Sequence, residues 1–489
     1  MSAGRDTGRG SVLAIDAGTT GVTALVVDAD GRITARGYQE FAQHFPQPGW
    51  VEHAPEEIWQ ATLEATRAAL AGTDPAALRA VGITNQRETV VLWDRETMGS
   101  PRRAIVWQDR RTAEVCSRLR AEGHEERVAE LTGLRLDPYF SGTKLAWLAE
   151  HEPHTWALVE SGRYAVGTVD SYLVARMTRG TWHVTDVSNA SRTLLFDLAT
   201  GDWSEELCGL FGVPRDALPE LVPNWGEIAT TDPRSFLELE LPIAGMAGDQ
   251  QSALFGQTCF DVGDAKCTYG TGSFILTNTG QELVRSDAGL LTTAARRAPD
   301  GELTYALEGA IFVTGAAVQW LRDGLQVVGS ASETEAIART VPDTGGVVFV
   351  PALTGMGAPH WDPHARGTIV GITRGTTRAH LVRATLEAIA FEVRDVLETM
   401  PGWGAAEGGL TSLRVDGGAS ANGLLCQLQA DQLGLPVERP RQHETTGLGA
   451  AFLAGLGTGV WDSTDQLRET WALDRRFEPT GDRAAHDAA

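Results

Sequence analysis

Residues 11–28 read SVLAIDAGTTGVTALVVD. Two apolar runs, Val12–Ile15 and Val22–Val27, flank a polar turn, Asp16–Gly21. The runs have strand length and are rich in Val, Leu and Ile, so the stretch predicts a β-hairpin. Gly18 and Gly21 open backbone conformations closed to other residues and let a ligand approach the main chain. Thr19 and Thr20 set hydroxyls beside the N–H groups of the turn, a combination that can cradle a phosphate. Asp16, at the end of a buried run, is a carboxylate able to hold a hydrated Mg²⁺. An ordinary hairpin with a tight turn is the competing reading, and the motif alone does not separate the two.

A second copy changes the balance. Residues 266–277 read KCTYGTGSFILT, again a run, a Gly-Thr-Gly turn and a run. Gly18 and Gly270 stand 252 positions apart (270 − 18), near half the chain. The repeat predicts two similar α/β domains facing one nucleotide. The expected division is 1–256 and 257–489, with the boundary near Gly256–Asp261.

A chain of 489 residues fits two or more domains. Its 42% hydrophobic and 21% charged content fits globular domains with a sizeable core. The net charge of −23 argues against a general nucleic-acid or anionic-membrane binder, though not against a small phosphate site with local donors. The five cysteines, Cys116, Cys208, Cys259, Cys267 and Cys426, are odd in number and lack metal-ligand spacing, which points to a reduced, cytoplasmic setting. Residues 1–10 carry no apolar signal region, and no run reaches membrane-spanning length.

Strand-like and helix-like segments alternate, as in α/β domains. Strands are expected at Ile33–Tyr38, Leu78–Thr84, Thr89–Trp93 and Pro242–Gly248, and helices at Pro55–Ala71 and Thr377–Met400. In the last, Val382, Leu386, Ile389, Val393 and Val396 recur at helical spacing. Gly447–Leu456 reads as a small-residue helix able to pack closely. Asp186–Arg192 reads as a loop, Gly309–Arg322 as a turn followed by a helix, and the residues after Phe477 as disordered.

Several residues could carry chemistry. Asp249 follows an apolar strand and is placed to act as a base, or to cap a helix. Arg87 and Glu88 offer the alternating donor and acceptor that a polyol needs, or form a surface ion pair of little weight. Trp107, Tyr139 and Phe274 could cover the carbon side of such a molecule, or pack in the core. Gly417-Gly418 allows flat approach of a base or ribose and Asn422 can hydrogen-bond it; a plain strand-to-helix turn competes.

The combination resembles the sugar-kinase family that includes glycerol, xylulose and gluconate kinases, within the actin/Hsp70/hexokinase ATPase fold. The resemblance runs from about Val12 to Phe477 through PGWVEHA (48–54), GITNQRET (82–89), AIVWQDRRT (104–112), DPYFSGTK (137–144), VTDVSNASRT (184–193) and AGDQQSALFGQ (247–257). It implies two actin/hexokinase-like, ribonuclease H-like domains around a central cleft. It implies ATP-dependent phosphorylation of glycerol to sn-glycerol 3-phosphate in glycerol catabolism. Glycerol would lie against Arg87, Glu88, Trp107, Tyr139, Asp249, Gln250 and Phe274, with Asp249 as base. Asp16 would help hold Mg²⁺, Thr19, Thr20, Gly21 and Thr271 would meet the ATP phosphates, and Gly315, Gln319, Gly418 and Asn422 would line the nucleotide side. A cytoplasmic homo-oligomer of two or four copies follows from the same resemblance.

The chain departs from the family at Thr23, where glycerol kinases usually carry Arg, and Gly226–Leu241 lacks the Gly-Arg loop with which some members bind fructose 1,6-bisphosphate. A kinase for another small polyol or a ketose such as xylulose is the alternative. A non-kinase ATPase or sensor on the same fold is a further one, but its partner-binding appendage is not seen.

Overall fold

The computed structural model describes residues 10–400 and 409–480. The first hairpin forms as expected. Ser11–Ala17 pairs antiparallel with Gly21–Asp28, and Asp16 stands opposite Thr23. These strands belong to a six-stranded sheet in the order Trp225–Thr230, Pro242–Gly248, Leu78–Asn85, Ser11–Ala17, Gly21–Asp28, Ile33–Glu40. The three strands beginning at Ser11, Leu78 and Pro242 run parallel, and the meander from Ser11 to Glu40 is antiparallel.

The second hairpin, Ala265–Tyr269 and Ser273–Gly280, starts a seven-stranded sheet built on the same plan. Leu303–Ile311 is its third antiparallel strand, and Leu413–Asp416 and Val437–Pro440 continue in parallel from Ala265–Tyr269. The repeat read from two Gly-Thr turns is thus a repeat of sheet topology. In both sheets the polar turn projects from the end of a strand flanked on both sides, where neighbouring strands cover the apolar runs and leave the turn's main chain open.

The Arg378–Glu398 helix buries Val382, Leu386, Ile389, Val393 and Val396 against the second sheet. The Thr445–Gly457 helix comes late in the chain yet packs on the first sheet, with Ala450, Ala451 and Ala454 among Val12, Ala14 and Leu25. Its closeness explains Gly82, where a Cβ would sit 2.1 Å from the Ala450 carbonyl oxygen.

Some elements differ from expectation. Asp186–Arg192 is not a loop. Val187–Ala190 is a buried helical turn, and Asp186 caps it by accepting from the Ser188 and Asn189 N–H groups. Its polarity misleads because the polar side chains bond one another inside the protein; Asn189, for instance, joins Asn85 and Asp186. Gly309–Ile311 still belongs to a strand, and the helix begins only at Gly315, ending in a π-turn at Trp320–Gly324. The strand expected from Thr89 starts at Val91, after Glu88 has turned the chain with φ 61°. The disorder expected after Phe477 falls mainly on residues 481–489, outside the described residues; before them, the Thr480 N–H donates to Asp431. Residues 1–9 also lie outside. Among the described residues no helix is long and apolar enough to cross a membrane.

Candidate active site

The two turns face a cleft between the sheets. Gln86, at the end of the Leu78–Asn85 strand, donates to the Gly18 carbonyl oxygen at 2.9 Å and meets His53 Nδ1 at 3.3 Å. His53 is buried, which lowers its pKa to about 4 and keeps the ring neutral. The PGWVEHA segment therefore braces the first turn from behind. Trp107 Nε1 donates to Thr19 Oγ1 at 2.9 Å, while Thr20 and Thr271 are exposed. Gly21 is buried in strand pairing, where a Cβ would sit 2.7 Å from the Gln39 carbonyl oxygen. The second turn is knitted to the chain after Ile311, because the N–H groups of Thr314 and Gly315 donate to Thr271 and Gly270.

On the side of the second sheet lies a cavity of about 530 Å³. Thr271, Gly315, Gln319, Gly418 and Asn422 all line it, with Leu386 and Leu425 as apolar wall. A Cβ on Gly418 would meet nothing within 4 Å, so the chain there is open to the cavity. Asn422 lines the wall, but its side chain serves the fold. Its oxygen caps the Gly423–Leu433 helix through the Leu424 and Leu425 N–H groups, and its nitrogen donates to Thr334.

The predicted acceptor contacts gather outside that cavity, all from the first half of the chain except Phe274, which the second sheet supplies. Arg87 and Glu88 are not a surface pair: their side chains are 1% and 2% exposed. Arg87 Nη1 lies 2.6 Å from Glu308 Oε2, and its Nε lies 3.2 Å from Asp249 Oδ1. Arg192 joins Glu88 at 2.7 Å and Glu308 at 2.9 Å. Trp107 stands edge-on to Tyr139 at 5.6 Å and to Phe274 at 6.3 Å, forming an aromatic wall. Lys266 donates to the Gln250 side chain at 2.5 Å and to the Phe274 carbonyl at 3.2 Å, tying two predicted contacts together.

Three charged residues here, Arg192, Lys266 and Glu308, escaped the sequence reading. A lone Glu in the apolar strand Leu303–Ile311 and a lone Lys beginning the KCTYGTG run were the available signals. The charges balance: buried Arg87, Arg192 and Lys266 against buried Glu88 and Glu308 and the part-exposed Asp249. Burial by itself would raise Glu308, but Arg192 and Arg87 overcome it and bring the carboxyl down to about 2.

Asp249 opens the helix Asp249–Gly256, whose N-cap position is Gly248. Asp249 is thus not the N-cap itself, although its Oδ1 accepts from the Gln250 N–H at 2.8 Å in the first turn. With 27% of its side chain exposed, Asp249 is the open carboxylate of the group. Burial raises its pKa, while Arg87 and Lys266 pull it back. Asp16 is pushed up to about 8 by burial first and then by the charges of Asp249 and Glu444. Asp16 lies near the end, and Asp249 just past the end, of two parallel strands of the first sheet that flank Leu78–Asn85. Two such carboxylates repelling one another fit a hydrated Mg²⁺, which binds through one or two carboxylates plus phosphate rather than in a protein cage. No group of three or more metal-ligating side chains occurs among the described residues.

Fold and site together define a two-domain phosphotransferase with the actin/hexokinase-like ATPase fold. Residues 11–256 match the N-terminal domain, and residues 265–458 the C-terminal domain, of the FGGY family of carbohydrate kinases. The chain belongs to that family. It is 53% identical over 471 residues to a glycerol kinase of Myxococcus xanthus, covering 96% of this chain and 95% of that one. A Plasmodium falciparum glycerol kinase solved with ADP superposes with a TM-score of 0.88 at 35% identity, covering 98% of this chain and 96% of the other. A xylulose kinase from Lactobacillus acidophilus shares the fold, with a TM-score of 0.85 at 20% identity over 97% of this chain and 95% of that one.

Proposed function

We propose that the chain transfers the γ-phosphoryl group of ATP to glycerol, giving sn-glycerol 3-phosphate. The observation that carries this reading is the pocket of Arg87, Glu88 and Asp249, whose charges are offset by Arg192, Lys266 and Glu308, beside the wall of Trp107, Tyr139 and Phe274. Its guanidinium groups are already paired with carboxylates, so the pocket suits a neutral polyhydroxy molecule better than a sugar acid. The names of the full-length relatives support glycerol in particular.

The chain's own groups divide the work. Arg87 donates and Glu88 accepts at adjacent hydroxyls, which sets which oxygen faces the nucleotide. The aromatic rings cover the C–H face of the acceptor. Asp249 takes the proton from the attacking hydroxyl. The turns at Thr19–Thr20 and Thr271 hold the phosphates, and Gly315, Gln319, Gly418 and the Asn422 wall receive the nucleoside. Asp16 and Asp249 would hold Mg²⁺, which when bound offsets charge on the transferring phosphoryl group. Positioning of this kind supplies most of the rate gain in phosphoryl transfer.

A kinase for another small polyol or ketose is the second reading, favoured by Thr23 and the shared fold of the xylulose kinase. A cytoplasmic homo-oligomer of two or four copies belongs to the same proposal. Exposed Val348, Val350 and Val370 on one two-stranded ribbon support assembly, and a monomer by light scattering would contradict it. The activity is tested by incubating the protein with glycerol, ATP and Mg²⁺ and assaying the product with an sn-glycerol 3-phosphate dehydrogenase. Reduction of the dehydrogenase's cofactor is expected, and ATP consumption without it would redirect the reading to another acceptor.

A further inference from the structure

Glu308 is fully buried on Leu303–Ile311, a strand of the second sheet, yet its partners belong to the first half of the chain. Its Oε2 accepts from Arg87 Nη1 at 2.6 Å, and its Oε1 accepts from Arg87 Nη2 at 3.1 Å and Arg192 Nη2 at 2.9 Å. Arg192 in turn donates from Nε to Glu88 Oε1 at 2.7 Å. One carboxylate therefore reaches both polyol-facing charges, Arg87 directly and Glu88 through Arg192.

The geometry of Arg87 gives this reach a consequence. Both terminal nitrogens are engaged by Glu308, Nη1 also donates to Gln251 at 3.0 Å, and Nη2 donates to the Tyr139 hydroxyl at 3.4 Å. The side-chain stem lies flat on Gly248, where a Cβ would come within 2.7 Å of it. The remaining nitrogen, Nε, lies 3.2 Å from Asp249 and 3.8 Å from Glu88, so the site residues Asp249, Glu88 and Tyr139 meet the guanidinium that Glu308 holds. Glu308 also shares a sheet face with Phe274, because Glu308 pairs with Leu276 and Phe274 lies two residues before it. The same face of the second sheet thus supplies both an aromatic wall and an anchor for the arginine opposite.

We propose that Glu308 is a positioning residue for the acceptor site. Held in the second half of the chain, it fixes which edge of Arg87 is presented to the polyol and, through Arg192, the seating of Glu88. The acceptor pocket is then a property of both halves together, although the residues that touch the acceptor come mostly from the first. This rests on the reading of the pocket as a polyol site.

The test compares the wild type with Glu308→Asp and Glu308→Gln in steady-state kinetics with glycerol and ATP, alongside thermal melts. Glu308→Asp keeps the charge between the two guanidinium groups but shortens its reach, so it is the primary variant; Glu308→Gln removes the charge and puts the fold at risk. Loss of a hydrogen bond between charged groups corresponds to roughly a tenfold or larger effect on binding. The glycerol KM of Glu308→Asp is expected to rise by about that factor, with kcat and the ATP KM within about threefold of wild type, the pattern of lost uniform binding. Unchanged constants, a parallel loss in both substrates, or failure of Glu308→Asp to fold would each assign Glu308 to the core alone and overturn the proposal. Wild-type turnover on glycerol is read in the same experiment. Its absence would defeat the functional reading separately, and the comparison would pass to whichever acceptor the wild type uses.

Discussion

Arg87 Nε lies 3.2 Å from Asp249 Oδ1 and joins a guanidinium that is 1% exposed to a carboxylate that is 27% exposed. The buried partner is immobilised by Glu308, so the open one is oriented from a fixed point. A base held this way has an acceptor lone pair directed at the cleft without further ordering when substrate arrives. Asp249→Asn keeps the size and an acceptor atom but cannot take a proton at neutral pH. Turnover should fall roughly 10²–10⁴-fold, with glycerol affinity changed much less. Calorimetry for glycerol and a coupled assay for ADP separate the two. Near-normal turnover would remove Asp249 from the role of base.

Asp16 and Asp249 stand at the ends of two parallel strands of the first sheet, and a dication would relieve their mutual repulsion. Asp16→Asn should raise the Mg²⁺ concentration for half-maximal activity by about tenfold or more, while a chelator abolishes wild-type activity. A titration of activity against Mg²⁺ checks this, and an unshifted midpoint would contradict it.

Thr23 stands directly opposite Asp16 in the first hairpin and is 8% exposed. An arginine there would share a sheet face with Asp16 and point toward the phosphate turn. Thr23→Arg is expected to tighten ATP binding by about tenfold through one charge-assisted hydrogen bond. Calorimetry with ATP measures it; unchanged or weaker affinity would show that the pocket is built around Thr23.

Glu392, on the Arg378–Glu398 helix, gives a pH dependence remote from the cleft. Its Oε2 is buried without a partner, and burial followed by the charge of Asp395 pushes its pKa up to about 8. Asp395 itself lies 3.7 Å from His360. A carboxyl raised on folding contributes stability below its unfolded value near 4.5 that is lost as pH rises through about 8. Glu392→Gln should therefore gain on the wild type between pH 5 and 8, reaching a melting temperature about a few degrees higher at pH 8. A difference independent of pH would contradict this origin.

Both hairpins, the doubled sheet and the long apolar helix were legible because period and turn chemistry are local. Thr271, Gly315, Gln319, Gly418 and Asn422 converge on one cavity. What sequence could not show was burial. Arg87 and Glu88 look like any adjacent charges until Arg192 and Glu308, from distant segments, enclose them. Asp186–Arg192 misled for the same reason, since polar residues that satisfy one another inside a protein read as a solvated loop. Asn422 was legible as a turn residue, and only the structure shows its side chain engaged in capping.

The central claim is that this pocket selects glycerol. The most direct measurement is kcat/KM by ADP release for glycerol, dihydroxyacetone, erythritol and ketopentoses at one enzyme concentration. Glycerol should give the highest value, because Arg87, Glu88 and the Trp107–Tyr139–Phe274 wall fit a short, neutral polyol. A ketopentose with the higher kcat/KM would contradict it.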